Sequence, residues 1–148
     1  MIDFLGLVLE AKQPALLRGM QDHFAWEWLA EGVLSLTPKQ AYEKVVVLSA
    51  GVHGNETAPI ELLARLSQDI FTGQLELKVH LLLILGNPEA IRSGQRYIEN
   101  DINRMFCGVQ QQFVAMAEAQ RVVELEQIVT DFFINSHAQA QLYHYDLH

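Results

Sequence analysis

The stretch Ser49-Ala50-Gly51-Val52-His53-Gly54-Asn55-Glu56-Thr57-Ala58-Pro59 sets an imidazole and a carboxylate three residues apart, and residues 146–148 read Asp-Leu-His. Imidazole and carboxylate nitrogen and oxygen are good ligands for zinc. Catalytic zinc characteristically takes three protein ligands and leaves its fourth position to water or substrate. His53, Glu56 and His148 would supply that set. The pattern is neither HExxH nor HxxEH, because Gly54 follows the histidine and Thr57 follows the glutamate. A histidine and a glutamate at this spacing, taken alone, read more readily as a solvated loop pair.

The neighbouring residues give the pair its weight. Val45-Val46-Val47-Leu48 is a short β-branched apolar run suited to a buried strand, and Gly51 and Gly54 then permit a tight turn that side chains would obstruct. A helix is expected next. Thr57 suits its N-cap, Pro59 is tolerated in its first turn, and Ile60, Leu63, Ser67 and Ile70 recur at helical spacing. Both candidate ligands therefore fall on a strand-to-helix loop at the carboxyl end of a strand, where open α/β sheets place their sites.

Gln141 to Leu147 reads as a strand. Its period of two puts Tyr143, Tyr145 and Leu147 on one face and His144, Asp146 and His148 on the other. Asp146 is then placed to orient a ligand imidazole or a nearby arginine. His144 competes with His148 for the third ligand position, and an edge strand with exposed polar residues is the plain alternative. His23, His80 and His137 have no comparable context and read as packing or surface residues.

A second block, Gly86 to Phe106, follows another buried-strand run, Val79 to Leu85, and contains Arg92, Arg96 and Arg104. Gly86, Asn87 and Pro88 stop that strand. Arginine's planar fork holds carboxylates with two hydrogen bonds and stays charged near neutral pH, which suits substrate anchoring and oxyanion stabilisation. The competing reading is simple pairing with Glu89, Glu99 and Asp101.

Taken together, GVHGNETAPIELL at 51–63, GNPEAIRSGQRYIENDINRMF at 86–106 and DLH at 146–148 resemble the aspartoacylase and succinylglutamate desuccinylase family of zinc-carboxypeptidase-like hydrolases. WEWLAEGVLSLTP at 26–38 is similar to the desuccinylase branch rather than the aspartoacylase branch. The resemblance runs over the whole chain. It implies one Zn2+ held by His53, Glu56 and His148, with Arg96 as the catalytic arginine that polarises the scissile amide carbonyl. It further implies that Asn103 and Arg104, alongside Arg96, bind a small anionic N-acyl amino acid by its carboxylate. The family hydrolyses N-acyl acidic amino acids, and the desuccinylase branch converts N2-succinyl-L-glutamate and water to succinate and L-glutamate in the succinyltransferase route of bacterial arginine catabolism. Family members carry a downstream general-base glutamate with no counterpart among these 148 residues. The expectation is accordingly the N-terminal part of a single catalytic domain, lacking the rest of that domain and a C-terminal β-rich region, and inactive alone. An aspartoacylase-type or metallocarboxypeptidase-type hydrolase, and a catalytically inactive folding or assembly fragment, are the alternatives.

Half the residues are apolar and the length suits one domain with a sizeable core. No apolar run reaches the length of a membrane span, and Met1-Ile2-Asp3-Phe4 lacks the basic start of a secretory signal, so a cytoplasmic protein without a membrane partner is expected. Cys107 is the only cysteine and reads as a small packed residue. A net charge of −8 argues against nucleic-acid binding and requires local arginines to hold an anionic substrate.

The expected architecture is α/β: a mainly parallel or mixed, zinc-carboxypeptidase-like sheet flanked by helices, truncated, with an N-terminal β-hairpin around Glu31-Gly32. Its parts are a helix over 57–70, a strand over 78–85, a site loop, a helix through about 112–134 with an apolar stripe of Val122, Leu125, Ile128, Val129 and Phe132, and the 141–147 strand. An unpaired sheet edge would leave the chain open to self-association.

Overall fold

A computed structural model describes residues 2–113 and 116–148. In chain order the elements are α1 (Phe4–Leu9), β1 (Arg18–Met20), β2 (Phe24–Ala30), β3 (Val33–Pro38), β4 (Lys44–Ala50), α2 (Thr57–Phe71), β5 (His80–Leu85), α3 (Pro88–Ser93), α4 (Ala117–Ile134) and β6 (Gln141–Asp146). The six strands form one mixed sheet in the order β1-β2-β3-β5-β4-β6. β4 pairs in parallel with β5 and β6, while β3 meets β5 antiparallel and brings the β2–β3 hairpin onto the sheet.

The alternating pleat explains why β4 and β5 read as unbroken apolar runs. Val45, Val47, Leu82 and Ile84 pack with Leu125 and Phe132 of α4. Leu81, Leu83, Leu85 and Ala50 join Ile60, Leu63 and Ile70 of α2 and Phe4 and Val8 of α1 in a separate cluster. Both faces are covered, so neither face of these strands needs polar residues. Helix α2 buries Ile60, Leu63, Ser67 and Ile70, the four positions set by its spacing.

Several boundaries differ from the sequence expectations. The N-cap of α2 is Glu56, without a side-chain capping bond, and Thr57 is the first helical residue. The loop bends so that Glu56 faces the histidines instead of its own helix. The expected helix from about 112 begins at Ala117 and is preceded by a 3-10 turn at Val109–Phe113; positions 114 and 115 of that expectation lie outside the described residues. Cys107 is exposed, with a positive φ of 61°, and is not a packed residue. Its backbone N–H donates to the Glu126 carboxylate, which holds it in a turn.

Candidate functional site

The loop after β4 passes very close to α3. At Gly54 a Cβ would lie 2.0 Å from the Ala90 carbonyl carbon, and Gly51 has a positive φ of 68°, so neither position accommodates an ordinary side chain. The Gly54 N–H donates to the Arg96 carbonyl at 3.2 Å. This bond joins the two motif-bearing loops directly. Helix α3 itself is short and punctuated at both ends: the Asn87 side chain accepts from the Ala90 N–H, Pro88 opens the first turn, and Gly94 closes the helix in the left-handed region.

His53 is buried, with Nδ1 3.0 Å from Glu56 Oε1 and Nε2 3.0 Å from Asp101 Oδ1. His148 repeats the pattern from the other side, its Nδ1 3.2 Å from Glu56 Oε2 and its Nε2 2.7 Å from Asp146 Oδ2. Donor atoms of His53, Glu56 and His148 all lie within 4.8 Å of one another. A neutral imidazole carries one N–H and can donate to only one of the two carboxylates that flank it. Two imidazoles wedged among three carboxylates therefore make a donor set rich in negative charge, and both Nδ1 atoms face Glu56. Such a set fits a divalent borderline cation: Nδ1 of each histidine and the Glu56 carboxylate would hold it, and Asp101 and Asp146 would fix the rings from behind.

Partial burial pushes the Glu56 carboxyl up, but hydrogen bonds and charge from His53 and His148 outweigh it and hold the group below the usual carboxylate range. Asp101 follows the same balance: burial raises it, while His53, the Asn103 N–H and Arg96 bring it down.

The candidate third ligands separate clearly. His144 shares a face with Asp146, yet its Nε2 lies 3.1 Å from the Ser49 hydroxyl and not against Glu56. Ser49 donates to Asp146 Oδ1 at 2.7 Å, so it steadies the carboxylate that holds His148. His137 Nε2 lies 2.9 Å from the Tyr42 carbonyl, and His80 packs against Phe132, its ring centroid 4.3 Å away.

Arg96 and Arg104 each approach Asp101 Oδ2 at 3.8 Å, and with Tyr97, Asn100 and Met105 they line a cleft of about 470 Å3. Asn103 faces a neighbouring cavity of about 510 Å3 that it shares with Asp146 and His144. Arg92 stands apart. It pairs with Glu31 and donates to the Val8 carbonyl, a structural role unlike the expected pairing with Glu89.

The model of the succinylglutamate desuccinylase/aspartoacylase catalytic domain matches residues 42–148. The chain belongs to this family. It is 51% identical over all 148 residues to succinylglutamate desuccinylase of Yersinia pestis (strain Pestoides F), and spans 44% of that protein's length. Among solved structures, the succinylglutamate desuccinylase of Chromobacterium violaceum matches with a TM-score of 0.87 at 38% identity, over 99% of this chain and 45% of that one. The corresponding Vibrio parahaemolyticus structure gives a TM-score of 0.87 at 27% identity, over 98% of this chain and 50% of that one. Murine aminoacylase 3 matches less fully, with a TM-score of 0.54 at 26% identity over 74% of this chain and 36% of that one. The mixed sheet flanked by helices is thus the fold of this hydrolase family.

Three residues of the site escaped the sequence reading. Ser49 opens the first motif without a role of its own in the sequence. Asp101 was weighed only as an ion-pair partner, although its position two residues before Asn103 in the arginine block was a usable signal. Glu118 bore no signal, because its partners are three backbone N–H groups and the Asn87 side chain, all brought to it by the fold.

Proposed function

We propose that the chain carries the metal-binding and substrate-anchoring part of a zinc-dependent amide hydrolase acting on N2-succinyl-L-glutamate, which releases succinate and L-glutamate in bacterial arginine catabolism. The observation that supports this best is the convergence of His53, Glu56 and His148 beside the cleft that holds Arg96 and Arg104. The 51% identity to a succinylglutamate desuccinylase supports the choice of substrate over an N-acyl aspartate or a peptide.

When bound, zinc would supply Lewis acidity and lower the pKa of a water molecule. His53, Glu56 and His148 hold the ion, and Asp101 and Asp146 keep the two rings oriented. Arg96 stabilises negative charge developing on the amide oxygen, and Arg104 with Asn103 binds a substrate carboxylate. Locally placed guanidinium groups are needed because the chain as a whole carries a net charge of −8.

Four carboxylates around the described site already have holding tasks. Glu56, Asp101 and Asp146 face imidazoles, and Glu118 is buried under four hydrogen-bond donors. No free carboxylate remains among them to take a proton from water. On the proposed reading the 148 residues bind zinc, and turnover is expected of a version with the full length of the relatives, of which this chain spans 44%. The decisive assay compares N2-succinyl-L-glutamate, N-acetyl-L-aspartate and a blocked dipeptide with that longer version. Preference for the succinylated substrate is expected; preference for either of the others would move the chain to the alternative hydrolase class.

A further inference from the structure

We propose that Glu118 is a positioning residue for the metal-binding cluster, acting through the backbone of residues 98–100 and through Asp101. The inference rests on the reading of His53, Glu56 and His148 as metal ligands.

Glu118 is 5% exposed and lies in the first turn of α4, where a carboxylate is favoured by the helix dipole. Its Oε1 accepts from the Ile98 N–H at 2.7 Å and from Asn87 Nδ2 at 3.3 Å. Its Oε2 accepts from the Glu99 N–H at 3.0 Å and the Asn100 N–H at 2.8 Å. Three consecutive backbone N–H groups thus converge on one buried carboxylate, and the next residue in the chain is Asp101. Asn87 ties in the third element, since its Oδ1 caps α3 while its Nδ2 reaches Glu118.

Segment 98–100 belongs to no helix or strand. It must nevertheless hold Asp101 Oδ1 3.0 Å from His53 Nε2. A carboxylate is the side chain suited to this task because it offers only acceptors to a row of donors. Glutamine would turn an NH2 group towards two of those N–H groups and lose their bonds. Glu118 does not touch the metal ligands. It sets the path of the chain that brings Asp101 behind His53, and the same path places Arg96 and Arg104 on either side of Asp101.

The test uses the 148-residue chain and Co2+ as a visible substitute for zinc, and reads dissociation constant and d–d absorption. Glu118→Gln should weaken Co2+ binding about 10-fold and alter the absorption bands, as disturbed outer partners of ligand histidines do. Asp131→Asn, an exposed carboxylate on the same helix, should change neither. The decisive comparison is with Asp101→Asn. If Glu118 acts through Asp101, the double variant should bind only slightly more weakly than Asp101→Asn alone. A simple loss of negative field or a general loosening would instead add its full weakening of about 10-fold on top of the Asp101→Asn effect, and would overturn the inference. An unchanged Glu118→Gln in a chain that binds Co2+ would overturn this inference alone. No Co2+ binding by the unmutated chain, or binding indifferent to His53→Ala, would remove the ligand assignment and this inference with it. Should Glu118→Gln fail to fold, Glu118→Asp carries the same comparison. In the unmutated chain, amide exchange at Ile98, Glu99 and Asn100 should be slow, and exchange as fast as that of free loop amides would also overturn the clamp.

Discussion

Gly54 lies where the β4–α2 loop meets α3, and the backbone of Ala90 fills the space that a Cβ would need. Gly54→Ala should therefore cost about 2 kcal/mol of stability, as overpacking does, and should lower zinc affinity by moving His53 and Glu56. Thermal melts and metal titration check both effects; unchanged affinity would show that the loop path does not set the ligand geometry. The arginines should separate by kind of effect. In a version with the relatives' full length, Arg104→Ala should mainly raise KM, while Arg96→Ala should lower kcat by on the order of 10²-fold, as lost oxyanion stabilisation does. Equal small effects would contradict the assignment. His80 makes a different prediction. Burial lowers its pKa from 6.5 to about 4, and its Nδ1 is buried without a partner among the described residues. The folded chain therefore keeps His80 neutral where the unfolded chain protonates it. The stability tied to neutral His80 is complete above about pH 6.5 and is lost as the pH falls towards 4. His80→Phe should flatten the stability profile over that window, and an unchanged slope would rule out His80 as its source.

At the scale of elements, what the sequence revealed followed from how each element is stabilised. β4, α2 and β5 are covered by neighbours on their apolar sides, and their composition shows it as β-branched runs or helical spacing. α1 and β1, with six and three residues, have no period of their own and depend on tertiary packing, as Phe4 and Val8 do in the α2-side core. α3 is instructive because its cues were present: Asn87, Pro88 and Gly94 are a cap, a first-turn proline and a left-handed terminator. In the sequence Asn87 and Pro88 mark the end of β5, and a six-residue helix is too short to declare a buried face. The same holds within the site. His53 and Glu56 were legible from residue type and spacing, whereas Glu118 and Ser49 act through contacts across 18 residues or more of sequence. Asn87→Ala should remove both the α3 cap and a Glu118 partner. A loss of about 1–2 kcal/mol in chemical denaturation is expected, and a neutral result would argue against α3 as a fixed support of the loop.

For the molecule as a whole, β6 is the edge through which the site is open. It pairs with β4 on one side, is without a strand partner on the other among the described residues, and exposes Leu142 and Tyr145. Such an edge invites strand addition. Concentration-dependent self-association of the 148-residue chain is expected in sedimentation velocity, weakened by Tyr145→Lys; a monomer at all concentrations would contradict it. Among the described residues no helix is long and apolar enough to cross a membrane. The proposed metal centre is formed by His53 and Glu56 on the β4–α2 loop and His148 just after β6. Anomalous diffraction at the zinc absorption edge from crystals of the zinc-loaded chain tests it most directly. One peak is predicted, about 2.0–2.1 Å from Nδ1 of His53 and Nδ1 of His148 and in contact with the Glu56 carboxylate. A peak at other side chains, or none at this cluster under zinc saturation, would contradict the account.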